Sequence, residues 1–262
     1  MTVNVLDGGA KVYVTNSYTT AIKKPLLHGG TAATDGGLEK LGTGTLTLAA
    51  SNTYNGVTKA SAGTLSLPVD AFVDSNGDAT NPGALVLSGG MVSGTAYTWA
   101  SLEIADGTYA YSDLPTTSAE TISLTGGILT MTAAEAVSTS ARKVVVTGGR
   151  IIVDGSAITS ITEEGENPLT FSAITLGSGV TVGDAITVAA SSFDWALSVS
   201  ETTPVATGSA ADMTENAWVG GATGAWGDVL NWKHGVPTSS QIVAIAGDVT
   251  ATYSASDYTM EA

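Results

Sequence analysis

Between Leu38 and Leu67 the chain alternates apolar and hydroxyl side chains twice over. Gly44-Thr45-Leu46-Thr47-Leu48 and Gly63-Thr64-Leu65-Ser66-Leu67 are near-copies set 19 residues apart, joined by the polar link Asn52-Thr53-Tyr54-Asn55-Gly56. Period-two alternation predicts strands with leucines on one face and Thr or Ser on the other. A strand that returns at a fixed interval implies coils stacked on coils. Three later phrases align without gaps: Leu85-Val86-Leu87-Ser88-Gly89-Gly90-Met91-Val92, Ile122-Ser123-Leu124-Thr125-Gly126-Gly127-Ile128-Leu129 and Val144-Val145-Val146-Thr147-Gly148-Gly149-Arg150-Ile151. Their glycine pairs lie 37 and 22 residues apart. The second interval has the length of one coil, and the first reads as a coil plus an excursion through Tyr97 to Pro115. Glycine reaches the positive φ that a corner between faces requires, and a bulkier residue at a stacked corner would strike the coil above.

A third set, Ala157-Ile158-Thr159, Ala173-Ile174-Thr175 and Ala185-Ile186-Thr187, has spacings of 16 and 12, which place its members on more than one face. Helical periodicity is confined to a short stretch at Ala133 to Arg142. Pro68 to Pro82 is a loop by its Pro, Asp, Asn and Gly content. These readings divide the chain into an N-terminal cap or first coil at 1–37, a β-helix at 38–190, a looser Ser- and Thr-rich connection at 191–216, and a Trp-rich segment at 217–262. That last segment is expected to begin a further set of coils and to be incomplete.

The phrase Leu38-x-Lys40-x-Gly42-x-Gly44-x-Leu46-x-Leu48, followed by Asn52-Thr53-Tyr54-x-Gly56 and Ala62-Gly63-x-Leu65-x-Leu67, resembles the passenger-associated transport repeat. This repeat is also called the autotransporter-associated β-strand repeat of large secreted proteins of Gram-negative bacteria. The resemblance implies a right-handed parallel β-helix in an exported passenger and brings no catalytic residue with it. The segment Ala217 to Pro237, with its Trp218-x-Gly220-Gly221, Trp226, Asn231-Trp232 and Pro237, is similar to a motif of the same class of passengers.

Composition narrows the function. Charged residues are 13% of the chain, against roughly a quarter in ordinary globular domains. Nine Lys and Arg face 24 Asp and Glu, for a formal charge of −15. With no basic stripe to neutralise phosphates, nucleic acid and anionic membrane surfaces are disfavoured as partners. There is no cysteine, so no disulfide or thiolate metal site forms. No apolar run is long enough to span a bilayer as a helix. The N-terminus lacks the basic and apolar regions of a signal peptide, so a mature form or a piece of a longer protein is expected.

Candidate chemistry is sparse. Asp70, Asp74, Asn76 and Asp78 offer oxygen ligands at alternate positions. Counted from Asp74, however, the sixth and twelfth places of a calcium loop hold Ala79 and Leu85 rather than Gly and Glu. Parallel β-helices also host polysaccharide lyases and glycosidases. Only Arg142 and Arg150 are arginines, and no spacing among Glu103, Asp106, Asp113 and Glu135 singles out the two facing carboxylates that glycoside hydrolysis needs. His28 and His234 are the only histidines, and neither sits beside a nucleophile elbow. Trp218, Trp226 and Trp232 are the candidate ligand residues: indole faces stack on sugar rings, although three such side chains among glycines also suit a hydrophobic plug.

The expected fold is all-β, a right-handed parallel β-helix of roughly ten short coils. Its predicted core is Leu46, Leu48, Leu65, Leu67, Leu85, Leu87, Ile122, Leu124, Val144, Val146, Ile174, Leu176, Ile186 and Val188. The expected function is that of a non-catalytic, cofactor-free structural segment of an autotransporter-like protein at the outer surface of a Gram-negative cell or outside it. It would aid passenger export and folding and form a rod for adhesion or display. The alternatives are a glycan-binding module using the three tryptophans, and a self-associating fibre subunit joined through coil ends. Host or environmental glycans and surface proteins are the partners this reading implies.

Overall fold

A strand of three or four residues that buries alternate side chains cannot stand alone; it gains a core only when equivalent strands stack above and below it. The computed structural model describes residues 3–68, 71–72, 83–94, 97–158, 169–210 and 214–252, and it realises that solution. The fold is all-β, with parallel strands stacked as a β-solenoid of about 10 turns and few helices. The fourteen predicted core residues from Leu46 to Val188 are all buried, none more than 6% exposed. Two units divide the chain: Met1–Ile128 with Arg142–Gly149, and Leu129–Ala141 with Arg150–Ala262.

In the first unit, strands Ala10–Tyr13, Leu38–Leu41, Thr58–Ala60, Ala84–Ser88, Ser101–Asp106, Thr121–Leu124 and Lys143–Val146 are neighbours in one sheet. Every pairing is parallel and, apart from one shift between Ile104 and Asp106 where Ser101–Asp106 meets Ala84–Ser88, in register, so two columns of side chains run inward. One is Ala10, Leu38, Thr58, Leu85, Leu102, Ile122 and Val144; the other is Val12, Lys40, Ala60, Leu87, Ile104, Leu124 and Val146. A second sheet stacks Thr19–Ile22, Thr45–Leu48, Thr64–Ser66 and Met91–Ser93, placing Leu46 over Leu65. On a third side aromatic rings meet edge to face, Phe72 lying 5.3 Å from Tyr54, 5.5 Å from Tyr97 and 6.2 Å from Trp99. The N-terminal residues contribute strands to both sheets and a further parallel pair, Val3–Val5 with Leu26–His28.

The interval of 37 residues differs from the sequence expectation. Ser101–Asp106 pairs with Ala84–Ser88 on one side and Thr121–Leu124 on the other, so the supposed excursion contains a coil of its own. Its corner is Asp106-Gly107 instead of Gly-Gly: the Asp106 carboxylate accepts the Gly107 N–H at 2.7 Å, and only Gly107 takes positive φ, +93°. Downstream, Gly127 (φ +69°) and Gly149 (φ +72°) stack at the same corner. A Cβ on Gly149 would lie 2.6 Å from the Gly127 carbonyl oxygen.

In the second unit, Arg150–Asp154 pairs in parallel with Ile186–Ala189. The expected short helix forms at Ala133–Val137, closed by a capping box in which Thr132 and Glu135 bond each other's backbone N–H. Within residues 191–216, strands Phe193–Ser200 and Thr203–Ala210 form an antiparallel hairpin, whose second strand also pairs with Leu169–Thr170. Parallel pairing resumes between Glu215–Ala217 and Ile242–Ala244 and between Thr223–Ala225 and Thr250–Thr252.

Candidate functional site

The chemistry of residues 38–67 is that of buried polar groups that tie one coil to the next. Lys40 occupies an inward column otherwise filled by apolar side chains. It fits because its neighbour in the next coil is Ala60, which leaves the stem room. Lys40 is fully buried. Its ammonium donates to the carbonyls of Leu41 at 3.1 Å, Gly42 at 2.7 Å and Ala62 at 3.0 Å. Three donors meet three acceptors, two from its own coil's corner and one from the next. Burial still lowers the Lys40 pKa from its ordinary value, since the carbonyl dipoles offset only part of the lost hydration.

Asn52 does the same on the aromatic side, spanning three coils. Its side-chain oxygen accepts the Leu26 N–H at 2.9 Å, and its amide donates to the carbonyls of Ala50 at 2.6 Å and Ala71 at 2.7 Å. Two residues on, the buried Tyr54 hydroxyl pairs with Thr58 at 2.8 Å. Burial pushes the Tyr54 phenol far above its ordinary pKa, so this bond is one between neutral hydroxyls.

Just before the repeat, Asp35 anchors the turn into it. Its carboxylate accepts three backbone N–H groups, from Gly37, Asn55 and Gly56, each at 2.9 Å, and faces His28 Nδ1 at 3.0 Å. Burial raises the Asp35 pKa, but the bonds from Asn55, His28, Gly37 and Gly56 outweigh it and the net direction is down. Glycine is required where these turns press together: a Cβ on Gly37 (φ +73°) would lie 1.9 Å from the Val57 carbonyl oxygen. On the outer face Lys11, Glu39 and Lys59 occupy successive coils in register, with Glu39 3.0 Å from Lys11 and 3.8 Å from Lys59.

The other candidates fall in separate places. Asp70, Asp74, Asn76 and Asp78 lie outside the described residues. Among the described residues no group of three or more His, Asp or Glu gathers as a cation site. Each of the four weighed carboxylates serves its own turn or coil. Glu103 accepts from Thr125 Oγ1 at 2.7 Å, Asp106 holds its corner, Asp113 accepts from Ser112 Oγ at 3.3 Å, and Glu135 caps its helix. Arg142 lies 5.6 Å over the Tyr111 ring and donates to the Pro115 carbonyl at 2.7 Å, while Arg150 opens a strand. His234 is turned to the Ser191 main chain, its Nδ1 2.6 Å from the carbonyl oxygen. Ser191 Oγ accepts instead from Phe193 N–H at 3.1 Å, so these two residues do not form a nucleophile and base pair.

Trp218, Trp226 and Trp232 are brought together around Trp232, whose ring lies edge to face 5.1 Å from Trp218 and 4.7 Å from Trp226. Trp232 is fully buried, Trp218 is 9% exposed and Trp226 half-buried. The indole N–H groups of Trp218 and Trp232 donate within the segment, to Gly221 O at 2.9 Å and Trp226 O at 2.7 Å. The glycines have a steric purpose: a Cβ on Gly220 or Gly224 would fall 2.4 or 2.7 Å from the Asn231 side chain, which donates to Ala225 O at 2.9 Å.

The sequence reading assigned no role to Lys40, Asn52 or Asp35. The signal for Lys40 was present: Leu38-x-Lys40 is period two, which puts the lysine on the leucine's inward face. Asp35 has one local donor, the Gly37 N–H, and its other two main-chain donors, Asn55 and Gly56, come from a turn about 20 residues on.

No curated protein and no solved structure matches the chain. Residues 38–67 match the sequence model of the family described as the passenger-associated-transport-repeat. The repeat belongs to autotransporter passenger proteins, which are surface-exposed or secreted. This chain therefore carries a passenger-associated-transport-repeat within a parallel β-solenoid, a combination that fits a segment of an autotransporter passenger.

Proposed function

We propose that the chain is a non-catalytic structural segment of an autotransporter-like passenger, and that the repeat aids export by giving the emerging chain a self-locking group of coils. The observation that carries this reading is the buried clip set of Lys40 and Asn52, whose every hydrogen bond joins a corner or link to its own or a neighbouring coil. Stability in a solenoid is a sum of coil and neighbour terms. A locally reinforced group can therefore fold before the rest arrives and resist being drawn back. The finished coils then form a low-charge rod at the outer surface of a Gram-negative cell or outside it, suited to adhesion or display. The test is surface yield of the parent protein carrying Lys40→Ala with Asn52→Ala. A several-fold fall with normal transcript is expected, and unchanged yield overturns the export role.

The tryptophan segment is better assigned to packing than to glycan binding. With Trp232 fully buried and Trp218 nearly so, only Trp226 offers part of a ring to a sugar. A glycan array showing binding that Trp226→Ala abolishes, with the far-UV circular dichroism unchanged, would reverse that assignment. The self-associating alternative predicts a mass in light scattering that grows with concentration.

A further inference from the structure

Lys233 and Asp194 form an ion pair with a histidine beside it. The Lys233 ammonium lies directly against Asp194 Oδ1, and the same carboxylate oxygen is 3.6 Å from His234 Nε2. Glu39, by contrast, is shared by Lys11 and Lys59 and accepts from Ser61 Oγ at 2.9 Å. The imidazole is held for the purpose: its side chain is 3% exposed and its Nδ1 lies 2.6 Å from the Ser191 carbonyl. A carbonyl only accepts, so Nδ1 carries a hydrogen, and Nε2 is the ring nitrogen that faces Asp194. The two segments are also fastened main chain to main chain, Ala190 N–H to Trp232 O at 2.8 Å and Ser191 N–H to Lys233 O at 3.0 Å. Amine and carboxyl are thus pre-positioned, with an imidazole beside the same carboxyl, the condition under which a slow bimolecular condensation becomes an intramolecular one.

We propose that Lys233 and Asp194 are the site of an intramolecular amide cross-link, formed autocatalytically with His234 as the proton carrier. In the step, His234 Nε2 takes one proton from the Lys233 ammonium and delivers it to the Asp194 carboxylate. The neutral amine attacks Cγ and forms the C–N bond. The second proton lost by nitrogen passes to the departing hydroxyl, the C–O bond breaks and one water leaves. Ammonium and carboxylate become a neutral amide plus water, so atoms and charge balance with no oxidant or activating co-reactant. Lys233 and Asp194 are both partly exposed, which gives the water a way out. The bond joins the hairpin strand Phe193–Ser200 to a residue 39 positions later, closing the tryptophan segment into a covalent loop in a chain without cysteine.

The experiment is intact-mass spectrometry of the full, denatured chain, with peptide mapping. The expected result is a mass lower than the sequence mass by one water, and a branched peptide joining Asp194 to Lys233. Lys233→Arg should restore the full mass. His234→Gln should retain the far-UV circular dichroism and cross-link at least several-fold more slowly. A folded unsubstituted chain at its full sequence mass overturns the proposal and leaves an ordinary ion pair. A lost water that maps to succinimide formation at Asp7-Gly8, Asp35-Gly36, Asp106-Gly107 or Asp154-Gly155 overturns it equally.

Discussion

Asn52→Ala isolates the worth of one clip. The side chain is 1% exposed and makes three hydrogen bonds to the main chain. Alanine leaves the Leu26 N–H without its acceptor at a residue 3% exposed, which costs about 1–3 kcal/mol for a buried orphan donor. The Ala50 carbonyl, in a half-buried residue, loses its donor too. The Ala71 carbonyl keeps the Asn52 N–H at 2.8 Å and loses less. The expected total is about 2–4 kcal/mol, a large share of the roughly 5–15 kcal/mol by which domains are stable. Asn52→Asp should be worse than Asn52→Ala, because a carboxylate still accepts from Leu26 but turns oxygen toward the Ala50 and Ala71 carbonyls. Urea unfolding followed by circular dichroism gives the total, and hydrogen exchange at the Leu26 amide shows whether the loss is local, as expected where coils open as separate cooperative groups. A change below about 0.5 kcal/mol, the size of an ordinary surface substitution, with Leu26 still protected, would refute the reasoning.

Further outcomes follow from other sites. Gly63→Ala, at φ +62° with its Cβ 2.4 Å from the Gly44 carbonyl oxygen, should lower the urea midpoint by at least the equivalent of about 1–2 kcal/mol. Gly8→Ala, with nothing within 4 Å of its Cβ, should leave the midpoint unchanged or raise it by up to about 1 kcal/mol. The Asp35 carboxyl is held below its ordinary value of 3.8, so the unfolded chain binds its proton first as pH falls. The stability it contributes is complete above that value and lost as pH drops through it toward the folded value. Asp35→Asn should therefore flatten the acid limb of the stability profile measured by urea titration at several pH values. Trp232→Ala, which removes a fully buried ring, should cost about 3–5 kcal/mol and shift the intrinsic fluorescence to the red, whereas Trp226→Ala should cost distinctly less.

The legible part of this protein was the part written in short-range pattern. Alternation around Leu46 and Leu65 predicted two strands of one face, and the two leucines are register partners in adjacent coils. The Gly-Gly phrases placed Ile122 opposite Val144 and Leu124 opposite Val146, as the sheet has them. The coil at Ser101–Asp106 escaped because its corner uses an aspartate side chain to hold the turn that a second glycine holds elsewhere. The antiparallel strands Phe193–Ser200 and Thr203–Ala210 were likewise not anticipated in a chain whose repeats speak for parallel pairing.

By itself the sequence determined which residues face inward, since a period of two fixes the face of every residue once one leucine is buried, and it determined where corners fall, since only glycine tolerates the left-handed backbone there at little cost. What the tertiary structure decided is which buried polar atoms meet. Lys40 is a charged residue in an apolar column until Ala62 of the next coil brings up its carbonyl. Asp35 is a loop carboxylate until the turn at Asn55 and Gly56 closes on it, and Lys233 and His234 are an ordinary Lys-His step until Asp194 arrives beside both from 39 and 40 positions away. A hydrogen bond acts over about 3 Å, and the stacking of coils, not the order of residues along the chain, sets which groups come that close.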